Sequence, residues 1–248
     1  MRFVAIIPAR YNSSRFPGKP LAQINGKTMI QRVYEQASKA DYLDDVIVAT
    51  NDKRIFDHVR SFGGKVFMTD SKHASGTDRC NEVVQKLLKK GLEYDVVVNI
   101  QGDEPYIDPQ QINLLTQAFI KSETKIATLI MQIKDAELIT NQNVVKVVKQ
   151  KNGKALYFSR LPIPFVRGES AVENFEKTEY FKHLGIYAYK SNILAKICEL
   201  PKSKLEEAES LEQLRWLENG FHIQTILTDL ESIAIDTPED LLKLTNIS

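Results

Sequence analysis

Three basic residues near the start of the chain have the types and the spacing expected of a phosphate-binding loop. Phe3–Pro8 is an apolar run that predicts a buried strand, and Arg10, Arg15 and Lys19 follow it directly. Fixed cations on a loop that leaves the carboxyl end of a strand suit a polyanion such as a nucleoside triphosphate. The alternative is a basic loop that is merely exposed to solvent.

Proline residues favour phosphate binding over that alternative. Pro8, Pro17 and Pro20 flank the three cations, and because proline fixes φ, the charges are partly pre-positioned. The loop contains neither the Gly-x-x-x-x-Gly-Lys-Ser/Thr motif nor the Gly-x-Gly-x-x-Gly motif. A phosphate site here must therefore use another design.

Two aspartates are predicted to follow strands. Asp103 comes after the apolar run Asp95–Ile100, and Asp236 comes after a strand predicted over Ser232–Ile235. If the two strands are neighbours, their carboxylates converge on one hard cation such as Mg²⁺, opposite the basic loop. The alternative is two unrelated surface aspartates.

The helix that follows Asp236 does not need this aspartate as its cap. Thr237 is a natural N-cap, Pro238 suits the first helical position, and Asp240 stands at the capping-box position. The carboxylate of Asp236 is therefore available for another role.

Three further segments carry polar groups that suit a ligand but also have structural explanations. His183 and Tyr187 share one face of a predicted strand, which fits a polyhydroxy ligand or a half-exposed strand. Glu212-Gln213 lies in an amphipathic segment where Ser210 and Gln213 alternatively form a capping box. The third segment, at a predicted helix start, contains Ser75, Thr77 and Arg79.

The order of the predicted elements indicates an α/β fold. Strands alternate with amphipathic helices, which predicts a mostly parallel sheet flanked by helices on both faces. Asn51, Thr77 and Asp108 are predicted to cap the second, third and fourth helices. Two short apolar runs around the Lys151–Gly153 turn predict an antiparallel hairpin. We therefore predict a single domain over residues 1–248 with an antiparallel insertion at about 135–190.

Composition excludes several classes of protein. Lys and Arg number 33 against 32 Asp and Glu, and this net charge of +1 gives no global attraction to nucleic acid or an anionic membrane. No charged leader or membrane-spanning apolar run is visible, so we expect a cytoplasmic protein without membrane insertion. Cys80 and Cys198 form no Cys-x-x-Cys pair, which fits two reduced thiols rather than a zinc site.

Taken together, these motifs resemble the 3-deoxy-manno-octulosonate cytidylyltransferases. The resemblance spans nearly the whole chain. The basic loop and the Gln101–Pro105 motif are similar to those of nucleotidyltransferases in general. The His183, Glu212-Gln213 and Asp236 segments are more specific to the 3-deoxy-manno-octulosonate enzymes. The motifs are Ile7-Pro-Ala-Arg-Tyr-x-Ser-Ser-Arg-Phe-Pro-Gly-Lys-Pro-Leu21, Ser75-Gly-Thr-Asp-Arg79, Gln101-Gly-Asp-Glu-Pro105, Tyr157-Phe-Ser-Arg160, His183-Leu-Gly-Ile-Tyr187, Leu211-Glu-Gln-Leu-Arg215 and Asp236-Thr-Pro-Glu-Asp-Leu241.

The resemblance implies a Rossmann-like nucleotidyltransferase fold whose inserted region forms a homodimer. It also implies transfer of CMP from CTP to the sugar acid 3-deoxy-manno-octulosonate (Kdo), with release of pyrophosphate, for lipopolysaccharide biosynthesis. Mg²⁺ is the implied cofactor, with Asp103 and Asp236 as its ligands.

The resemblance also implies which residues meet each substrate. The implied triphosphate contacts are Arg10, Ser13, Arg15 and Lys19, and the implied cytidine contacts are Ser75, Thr77 and Arg79. The implied Kdo contacts are Gln101, Arg160, His183, Tyr187, Glu212 and Gln213. Arg160 alternatively belongs to the dimer contact.

Several alternatives stay open at the level of sequence. Ala234 stands where related sequences commonly have glycine, and its methyl group could crowd the metal loop. One pocket contact would decide between Kdo and its 8-amino analogue. A CMP-sialate synthetase is the nearest enzymatic alternative, and a catalytically silent nucleotide-binding or regulatory protein on the same fold is the other.

Overall fold

The computed structural model describes residues 1–12, 15–168, 170, 172–173, 175, 177–231 and 233–245. Its strands are β1 (Phe3–Ala9), β2 (Gln23–Ile24), β3 (Lys27–Thr28), β4 (Asp45–Thr50), β5 (Lys65–Met68), β6 (Val96–Asn99), β7 (Ile126–Gln132), β8 (Lys146–Lys149), β9 (Ala155–Ser159), β10 (Phe181–Lys190) and β11 (Gln224–Leu227). Its helices are α1 (Met29–Ala37), α2 (Lys53–Ser61), α3 (Gly76–Leu88), α4 (Pro109–Lys121), α5 (Glu137–Thr140), α6 (Ser191–Cys198), α7 (Lys204–Glu209), α8 (Glu212–Glu218) and α9 (Pro238–Thr245).

The central sheet confirms the predicted fold class. Its strands lie in the order β11-β7-β10-β6-β1-β4-β5, and the pairs β1–β4, β1–β6, β4–β5 and β7–β11 are parallel. β10 is antiparallel to both of its neighbours, β6 and β7. The hairpin β8–β9 extends the sheet from the start of β10. Although β10 falls within the range predicted as an insertion, it lies in the middle of the sheet.

Alternating residues of each strand build the two faces of the core. On β1, Val4 and Ile6 pack beneath α3, α6 and α8, whereas Phe3, Ala5 and Ile7 pack beneath α1, α2 and α4. Because helices cover both faces of the sheet, the sequences of the parallel strands are continuous apolar runs. No helix within the described ranges has the length and apolar character needed to cross a membrane.

Three local predictions are wrong. The side chain that caps α2 belongs to Asp52 rather than Asn51, and the one that caps α3 belongs to Ser75 rather than Thr77. In both cases a neighbouring side chain with equal capping ability occupies the extended N-cap position. The predicted cap at Asp108 is confirmed.

The third error concerns the segment before Asp236, whose described residues form no strand. The Ile235 N–H donates a hydrogen bond to the Asp103 carbonyl at 2.9 Å, and the Ile235 side chain is buried in a small cluster with Ile24 and Met29. Ala234 is exposed. The segment is therefore held by one backbone contact and one apolar anchor rather than by a strand ladder.

Candidate active site

The loop after β1 folds around Tyr11 and opens onto a cleft. Gly18 has a left-handed φ of 75°, and its N–H donates to the Tyr11 carbonyl at 2.8 Å. A Cβ atom at this position would lie 3.2 Å from the Tyr11 ring, which explains the glycine. The guanidinium of Arg54 also lies over the Tyr11 ring, 3.3 Å from the ring centroid. The loop is therefore held by backbone and ring contacts.

The cleft holds most of the predicted triphosphate residues. It has a volume of about 490 Å³, and its lining includes Arg10, Asn12, Arg15, Lys19, Gln101 and Asp103. Ser13 lies outside the described residues. Arg10, Arg15 and Lys19 thus face one space at the carboxyl end of β1, as predicted.

The two predicted metal ligands meet at this cleft. The ammonium of Lys19 lies 2.7 Å from Asp103 Oδ2 and 3.4 Å from Asp236 Oδ1, and it donates to the Ile235 carbonyl at 2.9 Å. Arg15 donates to both carboxylate oxygens of Asp236, at 3.1 and 3.2 Å. Asp103 and Asp236 are therefore close enough to share one cation, and in this structure that cation is the Lys19 ammonium.

This arrangement fits a small divalent ion bound jointly with a substrate. Two carboxylates supply too few oxygen ligands for Mg²⁺ alone, which takes six and commonly completes its shell with phosphate and water. Within the described part of the chain, no group of three or more His, Cys, Asp or Glu side chains is arranged to hold a metal. Asp103 and Asp236 are thus suited to a metal that arrives with phosphates.

Gly102 permits the close approach of two strand ends. A Cβ atom on Gly102 would lie 2.8 Å from the Pro8 carbonyl oxygen, closer than side chains tolerate. The loop after β6 can therefore pass directly beside the end of β1. The Gln101 amide donates to the Gly185 carbonyl at 2.9 Å, which ties this loop to β10.

The start of α3 lies beside the same cleft, and some of its polar side chains cap the helix. The Ser75 hydroxyl accepts from the Asp78 N–H, and the Asp78 carboxylate accepts in return from the Ser75 N–H. Thr77 is buried, and its hydroxyl donates to Glu212 Oε2 at 2.7 Å. Ser75 thus caps α3, and Thr77 links α3 to α8.

Arg79 is a buried guanidinium with spare donor capacity. It donates to Thr69 and to the Asp70 carbonyl, while its buried Nη2 has no hydrogen-bond partner within the described part of the chain. Burial, and then the nearby charge of Arg10, lowers the pKa of Arg79. An unpaired buried donor is costly, so it marks a place where a ligand acceptor would be stabilising.

The polar face of β10 is confirmed. The ring of Tyr187 packs against the rings of His183 and Trp216, at centroid separations of 5.1 and 5.2 Å, whereas Ile186 and Ala188 lie in the opposite core. The Tyr187 hydroxyl is buried near Thr128 and makes no hydrogen bond of regular geometry with any described residue. Burial lowers the pKa of His183 to about 3, so its ring is neutral at physiological pH.

Glu212 belongs to the polar group around α3 and α8 rather than to a capping box. Ser210 has a left-handed φ of 52°, and α8 begins after Leu211 without a side-chain cap, so the capping explanation fails. Arg215 donates to Glu212 Oε1 at 2.7 Å. Burial nevertheless raises the pKa of Glu212. Its neighbour Gln213 is buried.

Arg160 is committed to backbone carbonyls. Its guanidinium donates to the carbonyls of Gln142, Glu209 and Ser210 at 2.7–3.3 Å. Arg160 therefore connects the β8–β9 hairpin to the end of α7 through hydrogen bonds. No described contact joins Arg160 to the cleft.

Sequence reasoning missed two buried polar residues next to this site. Asn99 ends β6 opposite Tyr187, and its buried Oδ1 atom has no hydrogen-bond partner among the described residues. A polar side chain inside the run Val96–Ile100 was a visible signal. Thr128 is fully buried on β7 and bonds to His183. Threonine is common in strands, so nothing in the sequence singled it out.

Comparison with known proteins decides the family. The cytidylyltransferase family matches residues 4–231. The 3-deoxy-manno-octulosonate cytidylyltransferase of Parabacteroides distasonis is 53% identical over 98% of this chain and 96% of its own length. The protein of the same name from Cytophaga hutchinsonii is 52% identical over 99% and 97%. The chain belongs to the 3-deoxy-manno-octulosonate cytidylyltransferases.

Solved structures agree with this assignment. A CMP:2-keto-3-deoxy-manno-octonic acid synthetase complexed with CTP superposes with a TM-score of 0.91 at 44% identity, covering 100% of this chain and 98% of that one. The 4-diphosphocytidyl-2C-methyl-D-erythritol synthase of Anaerococcus prevotii superposes with a TM-score of 0.61 at 12% identity, over 99% and 98%. The second match shows a shared fold alone.

Proposed function

We propose that this protein transfers CMP from CTP to the anomeric hydroxyl of Kdo and releases pyrophosphate. The observation that carries the proposal is the cleft in which Arg10, Arg15 and Lys19 face Asp103 and Asp236. Phosphoryl transfer of this kind needs positioning and charge neutralisation more than covalent chemistry. Membership of the family supports CTP and Kdo as the substrates.

The cations of the loop bind the triphosphate. Lys19 and Arg15 now neutralise Asp103 and Asp236, so phosphate binding requires them to exchange carboxylate oxygens for phosphate oxygens. This exchange keeps the number of ion pairs similar, which keeps the cost of rearrangement small. Arg79, with its unpaired buried Nη2, supplies a donor on the cytidine side.

The carboxylates released by that exchange would hold Mg²⁺. Asp103 and Asp236 already approach one shared cation, and they are the residues that would hold the metal. Bound Mg²⁺ would supply charge neutralisation for the phosphates. The protein's own residues orient the α-phosphate for in-line attack: the cations fix the phosphate chain, and Gly102 lets the loop that carries Asp103 pass beside the end of β1.

The sugar acid is bound by the polar groups of β10 and α8. His183, Tyr187 and Glu212 lie in the same core region, and Gln101 joins β10 to the phosphate cleft. A neutral imidazole, a buried phenol and a carboxylate are complementary to a polyhydroxy ligand. We assign the role of placing Kdo for attack to these residues.

Pyrophosphate release tests the proposal directly. The purified protein is incubated with CTP and Mg²⁺ and with Kdo, its 8-amino analogue or sialate, and pyrophosphate is measured over time. Turnover with Kdo is the expected result. Turnover with sialate alone, or CTP binding without any turnover, would refute the assignment and leave a sialate enzyme or a silent nucleotide-binding protein.

We also propose a homodimer formed through the inserted region. The β9 strand and the loop after it expose large apolar side chains, with Leu156, Leu161 and Phe165 at 55, 60 and 84% exposure. Large apolar side chains exposed within one segment favour an interface over a solvent-facing loop. Light scattering should give twice the chain mass, and Phe165→Asp should give the monomer mass; a wild-type monomer would contradict the proposal.

The cellular setting follows from the reaction. We propose that the protein acts in the cytoplasm, where CTP is made, and supplies activated Kdo for lipopolysaccharide biosynthesis. Cell fractionation followed by the pyrophosphate assay tests this: activity confined to the membrane fraction would contradict it.

A further inference from the structure

We propose that Thr128 is a positioning residue that keeps the proton of His183 on Nε2, so that Nδ1 accepts a hydrogen bond from a sugar hydroxyl. The sugar half of this inference rests on the proposed function. The position of the proton on His183 follows from contacts within β7 and β10 alone.

A bulge in β10 creates the surroundings of Thr128. Leu184 pairs with Leu129 and Tyr187 pairs with Thr128, so Gly185 and Ile186 are extra residues between two successive pairs. The bulge turns backbone carbonyls toward the buried Thr128 hydroxyl, which lies 2.7 Å from the Ile186 oxygen and 3.2 Å from the Leu184 oxygen. Both of these neighbours accept hydrogen bonds and neither can donate one.

A further neighbour of this hydroxyl is His183 Nε2, at 3.0 Å. Thr128 has one proton, and the Ile186 carbonyl is its nearest acceptor. A bare Nε2 would compete with the Ile186 carbonyl for that one proton, so that one of these two acceptors would go without it. A protonated Nε2 instead donates to the Thr128 oxygen, and one more hydrogen bond forms. The geometry therefore places the proton on Nε2.

The ring of His183 is clamped in this orientation. It packs edge-on against Phe158 and at a tilt against Tyr187, at centroid separations of 5.2 and 5.1 Å. The ring is neutral, so it carries one proton, and within the described residues no hydrogen bond reaches Nδ1. Nδ1 is consequently an acceptor, which selects a hydroxyl of the substrate rather than its carboxylate.

Nuclear magnetic resonance on the free protein tests the tautomer without any substrate. The chain has four histidines, so the protein is labelled with ¹⁵N-histidine and His183→Gln assigns the signal. We expect a proton on Nε2 of the wild-type ring. A proton on Nδ1 would overturn the inference, whatever the activity.

Kinetics test the consequence for the sugar. Thr128→Val keeps the shape but removes the acceptor, and it should raise the KM for Kdo about tenfold while changing the KM for CTP less than about twofold. Thr128→Ser should restore the wild-type value. In a His183→Ala background, Thr128→Val should have no further effect, because the two residues act through one contact.

A neighbouring threonine is the matched control. Thr225 pairs with Thr128 across β11 and β7, and its buried hydroxyl donates to the Gly153 carbonyl rather than to a histidine. Thr225→Val should leave both KM values unchanged. Equal rises in both KM values for Thr128→Val would show a general structural role and overturn the inference. No Kdo turnover by the wild-type protein would overturn the proposed function and the sugar half, while the NMR result would still decide the tautomer.

Discussion

Replacing Asp236 by asparagine should abolish most of the activity and leave the fold intact. The substitution keeps the shape of the side chain but removes one charge, and Mg²⁺ binds an amide oxygen less well than a carboxylate. Loss of a residue that merely supports a metal ligand costs about 10–100-fold, so loss of a ligand should lower turnover by about 100-fold or more.

The expected change in stability is small because the closer ion pair of Asp236, with Arg15, is exposed, and because the less exposed Lys19 keeps its pair with Asp103 at 2.7 Å. Arg15 and Asp236 are 65 and 44% exposed, and ion pairs of this kind contribute about 0–1 kcal/mol. The cap of α9 does not use the Asp236 side chain: Thr237 N–H donates to Asp240 Oδ2 at 3.0 Å, and Asp240 N–H donates to Thr237 Oγ1 at 3.2 Å. We expect the unfolding free energy to fall by less than about 1 kcal/mol.

Two measurements check this prediction. Pyrophosphate release is followed at increasing Mg²⁺ concentration, and unfolding is followed in urea. The matched control is Asp229→Asn, which removes an exposed carboxylate paired with Lys134 at 3.3 Å and should leave turnover unchanged. Near wild-type activity of Asp236→Asn at low Mg²⁺ would refute the two-aspartate site, and loss of the folded state would show that Asp236 is structural.

Three further outcomes are expected. Lys19→Ala should raise the KM for CTP far more than the KM for Kdo. It should also strengthen Mg²⁺ binding to the free protein, because it removes the ammonium that pairs with Asp103. Titration calorimetry without CTP checks the Mg²⁺ affinity, and weaker binding would contradict the prediction. Tyr187→Phe should raise the KM for Kdo without lowering the unfolding free energy, because the deleted hydroxyl is buried and makes no hydrogen bond of regular geometry with any described residue. A clear loss of stability in urea unfolding would contradict this. The pKa of His183 is lowered to about 3 in the folded protein, against 6.5 in the unfolded chain. The unfolded state therefore binds more protons between these two pH values. As a result, the unfolding free energy falls as the pH drops from 6.5 toward 3, by up to about 1.4 kcal/mol per pH unit. Unfolding of wild type and His183→Gln at pH 7, 6 and 5 checks this, and identical pH dependences would contradict it.

The fold class and the phosphate cleft were predictable because their signals are local. The apolar run of β1 and the cations after it are consecutive in the chain, and a strand delivers the residues that follow it to its carboxyl end. The cap at Asp108 and the capping pair of Thr237 and Asp240 also depend on residues three or fewer positions apart. Local pattern therefore determined the order of the elements and the chemistry at one strand end.

Tertiary structure decided which distant residues meet. The segment before Asp236 reaches Asp103 through one backbone hydrogen bond and a buried Ile235, a contact that no strand pattern announces. β10 inserts antiparallel between two strands that precede it, and its bulge brings His183 to Thr128. Strand order and bulges arise from long-range pairing and packing, whose partners are far apart in the chain, so periodicity in the sequence determines that a strand exists but only the folded sheet determines its neighbours.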